Sequence, residues 1–236
     1  MGVGFDAVTM DEAVERAMSM ARSRVGAYAV TPNPEIVDMC REDGSLSDAV
    51  NGADMVLADG IGIIYAAKIL KKPVRERVPG INFAAELLSR MAAEGMSVFL
   101  YGAKPGIAER AADNLKAQYN GLIITGYHDG YDKDDAKIIA KINDASPDFL
   151  MVCLGSPKQE LWMQSNAGSI SAGLMVGLGG SLDVIAGEVK RAPPGWQKLG
   201  FEWLYRLIQE PKRIKRMARL PKFLIASAGL RIKGGE

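Results

Sequence analysis

The stretch "SVFLYGAKPGIAERAADNLKAQYNGLIITGY", Ser97 to Tyr127, contains two apolar runs separated by a segment with helical spacing. The runs at 97–102 and 122–127 have the length of buried strands, and the segment between them repeats its apolar residues every three to four positions. A strand, a helix and a second strand in this order are typical of parallel β-α units. The stretch therefore predicts an α/β fold.

The same alternation continues in both directions along the chain. Apolar runs at 27–31, 55–59, 148–155 and 173–179 predict four more strands, and helices are expected between the runs. The first helix should cover residues 10–23, because Thr9 and Glu12 have the spacing of a capping box. The prediction is a mostly parallel sheet with helices on its faces, extending over residues 1–190.

The pattern changes after residue 190. The segment "RAPPGWQKLG", 191–200, interrupts the alternation with prolines and glycines, and residues 191–236 are predicted to form a basic, amphipathic helical appendage. Residues 189–236 carry 12 Lys and Arg against 3 Asp and Glu, whereas the preceding 188 residues carry 17 basic and 25 acidic residues. This charge division predicts an anionic partner for the C-terminal segment.

Composition excludes several classes of protein. Cys40 and Cys153 are separated by 113 positions, with no spacing typical of a zinc site, so the cysteines favour a reducing compartment. No uncharged apolar stretch reaches the 18 or so residues of a membrane span. We therefore expect a cytoplasmic protein that lies on a membrane if it meets one.

Four predicted strand ends carry polar residues that could form a site. In parallel sheets these ends meet at one edge, beside the N-termini of the following helices. Each residue also has a purely structural interpretation, since Thr31, Asn33 and Asp59 are good helix caps and a surface arginine is common. The candidates are Thr31 and Asn33 in "TPNPE", Asp59 in "LADGIG", Arg77 in "RERVPGIN", and Lys158 and Gln159 in "CLGSPKQELWM".

Two further features favour structural roles. Asp132 and Asp134 form an Asp-x-Asp pair, which metal-dependent sugar transferases use, but they lie where a helix is expected to begin, and acidic residues are favoured there. His128 is the chain's single histidine and is interpreted as a loop or core residue. No metal ligand is predicted.

Seven motifs in register give the chain a resemblance to a known family. The stretches "TPNPE", "LADGIGI", "RVPG", "VFLYGAKPG", "GYHDGY", "LGSPKQE" and "VGLGGSLDVIAGEVKRAPPGW" are similar to those of the WecG/TagA/CpsF glycosyltransferases, glycosyltransferase family 26. The resemblance implies a Rossmann-like core with a C-terminal appendage. It also implies inverting, metal-independent transfer, without any cofactor, of N-acetylmannosamine or a related sugar. The donor would be a UDP-sugar and the acceptor a polyprenyl-diphosphate-linked N-acetylglucosamine used for wall teichoic acid or another bacterial surface polymer.

The resemblance also implies roles for individual residues. Asp59 would be the catalytic base, and Arg77 would steady the diphosphate as UDP leaves. The family's usual residue after "RVPGI" is Asp, whereas this chain has Asn82. The identity of the donor sugar that the site recognises is therefore left open. The other substrate-binding positions implied are Thr31, Asn33 and Gln159, with Lys158 beside them, and the appendage arginines Arg206, Arg213 and Arg216.

The implied appendage explains the charge division. Arg213 and Arg216 would share a helical face, next to apolar residues that can enter the headgroup layer of an anionic membrane. The protein is thus expected at the inner face of the cell membrane as a peripheral protein. A homo-oligomer is left open, and nucleic acid is not expected as a partner.

Two other functions are weighed against the transferase. A nicotinamide- or UDP-sugar-dependent enzyme on a similar sheet would need a glycine fingerprint after the first strand, and "AYAVTPNPE" does not contain one. A non-catalytic module that binds a membrane surface would use the basic segment but would have no need of polar residues at several strand ends.

Overall fold

Six strands form a single sheet in the computed structural model, which describes residues 2–193, 195–196, 202–209 and 223–229. The strands are β1 (Ala27–Val30), β2 (Met55–Val56), β3 (Ser97–Gly102), β4 (Ile123–His128), β5 (Phe149–Cys153) and β6 (Leu174–Gly177). Their order across the sheet is β2-β1-β6-β5-β3-β4, and all neighbouring pairs are parallel. The predicted α/β class and the six predicted strands are confirmed.

Helices occupy the segments between the strands. They are α1 (Met10–Ser23), α2 (Pro34–Glu42), α3 (Gly44–Asn51), α4 (Ile61–Leu70), α5 (Gly80–Ala93), α6 (Ile107–Gln118), α7 (Asp135–Ala145), α8 (Lys158–Asn166), α9 (Ser181–Ile185) and α10 (Glu202–Gln209). The predicted capping box begins α1, because Thr9 Oγ1 accepts from the amide of Glu12 and Glu12 Oε2 accepts from the amide of Thr9.

The sheet has a buried layer on each face. Alternate residues of a strand point to opposite faces, so Ala27 and Ala29 belong to the apolar cluster that includes α1, α5, α6 and α9, while Tyr28 and Val30 belong to the one that includes α2, α3, α7 and α8. The central strands β1, β3, β5 and β6 are buried along their whole length. Continuous apolar strands of this kind are what a parallel sheet covered on both faces requires.

The loops diverge at the carboxyl ends of β1 and β6, and the space between them is called the crevice here. After β1 the chain turns to α2 on one face of the sheet, and after β6 it turns to α9 on the other face. Loops that leave neighbouring strands toward opposite faces open a cleft at the carboxyl edge, which is where ligands bind in sheets of this type. The sequence-predicted candidates at 31–33 and 57–59 lie in the loops at this point.

The C-terminal part of the chain contacts the core. Phe223, in a helical segment at 223–229, is 2% exposed and packs in a cluster with Val37, Ala58, Ile63 and Ala66. Apolar packing thus connects residues before and after position 190. The division into a 1–190 core and a 191–236 appendage stays a prediction. Among the described residues, no helix has the length and apolar character to cross a membrane.

Candidate active site

The crevice between β1 and β6 is closed at its base by Thr31. This buried side chain follows β1, and its hydroxyl donates to the carbonyl of Gly177 at the end of β6, 2.9 Å away. Gly80, the first residue of α5, lies against the same hydroxyl, since a Cβ atom at Gly80 would be 3.1 Å from Thr31 Oγ1. Thr31 thus holds together two strands and the start of a helix.

Asp59 lies beside this contact and is half-buried. Although β2 ends at Val56, the chain continues along β1, with the amide of Leu57 donating to Val30 O (2.9 Å) and that of Asp59 to Pro32 O (3.3 Å). Asp59 does not cap its own helix, because Gly60 occupies the N-cap position of α4 and makes no side-chain bond. Asp59 Oδ2 accepts from the amide of Gly80 at 3.4 Å. Asp59 is thus not the N-cap residue of α4, and its carboxylate bonds the first amide of α5.

Gly60 allows the loops after β1 and β2 to approach each other. Its φ of +92° is in the region that favours glycine, and a Cβ atom there would be 3.3 Å from Pro34 Cδ. Asn33 is the N-cap of α2, with Oδ1 accepting from the amides of Glu35 (2.9 Å) and Ile36 (3.1 Å). The capping interpretation of Asn33 is confirmed.

Arg77 is placed by the segment that leads from α4 back to the sheet. The amide of Val78 donates to Ala58 O at 2.9 Å, so the backbone at 77–78 runs beside the chain that carries Asp59. The neighbouring Arg75 is directed away to Glu12 on α1, at 2.7 Å. The half-buried Arg77 therefore accompanies Asp59 at the carboxyl edge.

Lys158 and Gln159 begin α8 but differ in environment. Lys158 is exposed, and its ammonium donates to Gly130 O at 3.1 Å. Gln159 is buried, its Oε1 accepting from the amide of Gly179 at 2.9 Å. A Cβ atom at Gly177 would lie 2.9 Å from Gln159 Nε2, so this amide fixes the loop after β6. The structure thus brings Gln159 to the crevice and leaves Lys158 farther along the edge.

Glu160 is a residue that the sequence interpretation missed. It is 1% exposed, and its Oε1 accepts from Gln159 Nε2 at 2.9 Å. The second oxygen, Oε2, is buried without a hydrogen bond to any described residue. Burial raises the pKa of this carboxyl above its ordinary value. An acid after "SPKQ" in a helix start gives no sequence signal of such burial, because acidic residues are common in first turns.

Two helix starts at the carboxyl edge have no side-chain capping bond from their N-cap residues. These residues are Gly60 of α4 and Pro157 of α8, whereas the first amide of α5 already donates to Asp59 Oδ2. Uncapped first-turn amides attract anions, and the dipoles of these helices add to that attraction. Together with Arg77 they make this edge suited to a diphosphate.

Asn82, in the first turn of α5, connects the site to the C-terminal part. Its Oδ1 accepts from the guanidinium of Arg191, and Arg191 Nε lies 4.0 Å from Glu202 Oε1 on α10. Arg206 lies on α10, but its side chain is outside the described residues, as are Arg213 and Arg216. The three appendage arginines thus stay predictions.

The acidic pair at the other side of the sheet has structural partners. Asp134 caps α7 through the amide of Lys137, at 3.0 Å, so the prediction of a helix start is confirmed. Asp132 Oδ2 lies 3.0 Å from Lys137 Nζ and 3.1 Å from His128 Nε2. The pKa of Asp132 is lowered mainly by the hydrogen bond from the backbone amide of Asp134, and further by the bonds from Lys137 and His128. Within the described residues, no group of three or more potential ligands surrounds a metal position.

Comparison with known proteins gives the same family across the whole chain. The sequence model of the "Glycosyl transferase WecG/TagA/CpsF family" matches residues 1–235. A Bacillus spizizenii protein named N-acetylglucosaminyldiphosphoundecaprenol N-acetyl-beta-D-mannosaminyltransferase is 36% identical over 85% of this chain and 78% of its own length. A Staphylococcus aureus protein of the same name is 35% identical over 99% of this chain and 93% of its own length. The chain belongs to the WecG/TagA/CpsF family of glycosyltransferases.

Proposed function

We propose that the protein transfers N-acetylmannosamine from a UDP donor to N-acetylglucosamine carried on a polyprenyl diphosphate. The names of the two relatives support the transferred sugar and the lipid-linked acceptor. The UDP leaving group is supported by the starts of α4 and α8 and by Arg77, which suit a diphosphate. The product would enter wall teichoic acid or another bacterial surface polymer.

The position of Asp59 is the observation that carries this proposal. Its carboxylate lies at the carboxyl edge, next to the first amide of α5 and beside the crevice that Thr31 closes. A carboxylate there can accept the proton of an acceptor hydroxyl while the oxygen attacks the anomeric carbon. The bond from that carbon to the phosphate oxygen breaks, UDP leaves with the electron pair, and single displacement inverts the anomeric centre.

Stabilisation of the leaving diphosphate is assigned to the protein's own positive groups. Arg77 and the starts of α4 and α8 lie on the same edge as Asp59, where they can offset the charge that develops on UDP. Asp132 and Asp134 are already bonded to Lys137 and to the start of α7. Transfer is therefore proposed to need no metal ion and no cofactor.

The acceptor also determines the proposed location. A polyprenyl diphosphate presents its charged group at a membrane surface, and the net positive charge of residues 189–236 favours an anionic one. We assign Arg206, Arg213 and Arg216 to this contact or to the acceptor diphosphate. The protein would then act as a peripheral protein on the inner face of the cell membrane.

The alternatives are not favoured by any observation at the site. The turn after β1 is a proline-containing helix start capped by Asn33, which differs from the glycine turn that a nicotinamide cofactor needs. A module that only binds membranes would not require the contact from Asp59 to Gly80 or the buried Gln159.

A transfer assay with excess chelator tests the proposal. The full chain is incubated with UDP-N-acetylmannosamine and a short-chain lipid diphosphate acceptor, with UDP-N-acetylglucosamine as the matched donor control. We expect one sugar to be added from the first donor, with inverted configuration by NMR, in the presence of EDTA. Retention of configuration would contradict the role of Asp59, and activity that returns only with manganese would contradict metal independence.

A further inference from the structure

The outer face of α4 differs from those of the neighbouring helices. Its exposed and half-exposed side chains include Ile61, Ile64 and Tyr65, and Tyr65 is 48% exposed. In contrast, α5 exposes Glu86 and Ser89. An apolar outer face on a surface helix indicates an interaction surface rather than a solvated one.

This face continues into a basic end. Lys68 follows Ile61, Ile64 and Tyr65 on the same side of the helix, since positions three, four and seven apart are aligned. The segment from 60 to 75 contains no Asp or Glu but has Lys68, Lys71 and Lys72 before Arg75. None of the three lysines pairs with an acid that the structure describes, whereas Arg75 is bound to Glu12.

The opposite face of α4 is already occupied. Ile63 and Ala66 pack with Phe223 of the helical segment at 223–229, and Ile225 of the same segment is 73% exposed. The described part of the C-terminal region therefore packs against the inner face of α4. On the outer face, Tyr65 and Lys68 are exposed.

Proximity to Asp59 connects this face to the site. The helix begins at Ile61, two residues after Asp59, so its first turn borders the crevice. An acceptor whose sugar reaches Asp59 has its lipid on the far side of one diphosphate. The membrane that holds this lipid must then come close to the first turns of α4.

From this arrangement we infer that α4 is the core's own membrane-binding element, with Ile61, Ile64 and Tyr65 entering the interfacial layer of an anionic bilayer and Lys68, Lys71 and Lys72 meeting its headgroups. Tyrosine and lysine can place an apolar body in the interfacial layer while the hydroxyl or ammonium group stays among the headgroups. The inference rests on the proposed function for its lipid substrate, but its test measures membrane binding alone.

Vesicle co-sedimentation of the full chain tests the inference. Two variants change the face, Tyr65→Glu and Lys68→Glu, and two matched controls change exposed residues elsewhere, Val25→Glu before β1 and Lys116→Glu on α6. The vesicles contain either equal parts of phosphatidylcholine and phosphatidylglycerol or phosphatidylcholine alone. A lysine near an anionic surface contributes about 1 kcal/mol, or about fivefold in partitioning, so Lys68→Glu should bind the mixed vesicles about fivefold or more weakly.

The pattern over the four variants decides the outcome. We expect Tyr65→Glu to weaken binding to both kinds of vesicle, Lys68→Glu to weaken binding to the anionic vesicles only, and the controls to bind as the parent chain does. If Tyr65→Glu misfolds by circular dichroism, Tyr65→Ser replaces it. Parent-like binding of the Tyr65 and Lys68 variants would overturn the inference. So would a change in self-association by sedimentation velocity without lipid, which would assign the face to a second copy of the chain.

The two proposals fail separately. A parent chain that binds vesicles through α4 but transfers no sugar would contradict the proposed function and support the membrane-binding role of α4. A chain that transfers sugar to a short-chain acceptor, with vesicle binding unaffected by the α4 variants, would support the function and overturn this inference.

Discussion

At the residue scale, the Asp59 carboxylate is held in place at the carboxyl edge of the sheet, where it can act chemically. The helix that follows it begins at Ile61 with Gly60 as its N-cap, and the Asp59 carboxylate accepts from Gly80, the first residue of α5. This bond places the carboxylate at the carboxyl edge of the sheet, where we expect it to act on a ligand.

Replacement of Asp59 tests that role directly. Asp59→Asn keeps the shape of the side chain but removes the basic group, so turnover should fall about a hundredfold or more, the usual scale for a general base. Thermal unfolding and UDP binding should change little. Asp113→Asn, on the exposed side of α6, is the matched control. Turnover of the Asp59 variant within a few fold of the parent would refute the assignment.

Glu160 makes a prediction about pH and stability. Burial raises the pKa of its carboxyl in the folded protein above the ordinary value of 4.5. The folded state then holds this proton to higher pH than the unfolded state, so the free energy of unfolding falls as pH rises above that ordinary value. Glu160→Gln cannot ionise and keeps an oxygen for Gln159. Relative to the parent, its urea midpoint should therefore rise between about pH 5 and about pH 7.5.

The measurement is a pair of urea titrations at each pH. Glu109→Gln, at an exposed position on α6, serves as a control that should not show the trend. A constant difference between Glu160→Gln and the parent at both pH values would mean that Glu160 ionises as easily in the folded chain as in the unfolded one.

Sequence reasoning worked for residues whose role is local. The cap at Thr9, the strand run at 97–102 and the helix start at Asp134 depend on neighbours within a few positions, and all three are present. It failed for Glu160, whose burial depends on helix packing. It also did not find the bond between Asn82 and Arg191, which are 109 positions apart. The hydrogen bond from Gly80 to Asp59 was not predicted either, because it depends on how the segment 77–80 folds back against the chain at Ala58.

At the element scale, the bond from Arg191 to Asn82 joins the start of α5 to the chain that leads to α10. Arg191 also faces Glu202 on α10. The residue expected from the family resemblance at position 82 is an acid, and an acid would form a charged pair with Arg191. Position 82 is therefore placed to hold the C-terminal part at the site, in addition to any role in reading the sugar.

A double-mutant cycle separates these two roles. If Asn82 holds Arg191, then Asn82→Ala and Arg191→Ala should each speed chymotrypsin cleavage in the C-terminal segment, and the double variant should be cleaved no faster than Arg191→Ala, which also loses the contact with Glu202. Asn82→Asp should slow cleavage, because a charge-assisted bond is stronger. Arg90→Ala, which removes a surface pair with Asp11 and Glu15, is the control on the same helix. Additive effects of the two substitutions would indicate that Asn82 does not act through Arg191. A change in donor preference at the parent's cleavage rate would indicate that Asn82 recognises the sugar.

At the scale of the whole molecule, the C-terminal part is tied to the core by apolar packing as well as by charge. Phe223 is almost completely buried between α4, α2 and the chain after β2. This contact bears on whether residues 1–190 are independent of the remainder. A side chain of this size inside a cluster contributes to the stability of the elements on both sides.

Truncation of Phe223 measures that contribution. Phe223→Ala should lower the free energy of unfolding by about 3 kcal/mol or more, the usual cost of removing a buried phenylalanine. Ile225→Ala, in the same segment but 73% exposed, should change it by less than about 0.5 kcal/mol. Urea unfolding followed by tryptophan fluorescence gives both values. Equal, small effects would indicate that the appendage and the core unfold independently.

The pairing of β1 with β6 has a consequence for how the protein is made. Thr31 and its partner Gly177 are 146 positions apart, and β1 is joined on its other side only to the two-residue strand β2. A chain emerging from the ribosome therefore holds an open strand edge until β6 has been synthesised, and long-range parallel pairing is slow to form. No nascent chain shorter than this has both strands that border the crevice. Binding of the proposed donor is thus expected only after synthesis of the sheet is complete.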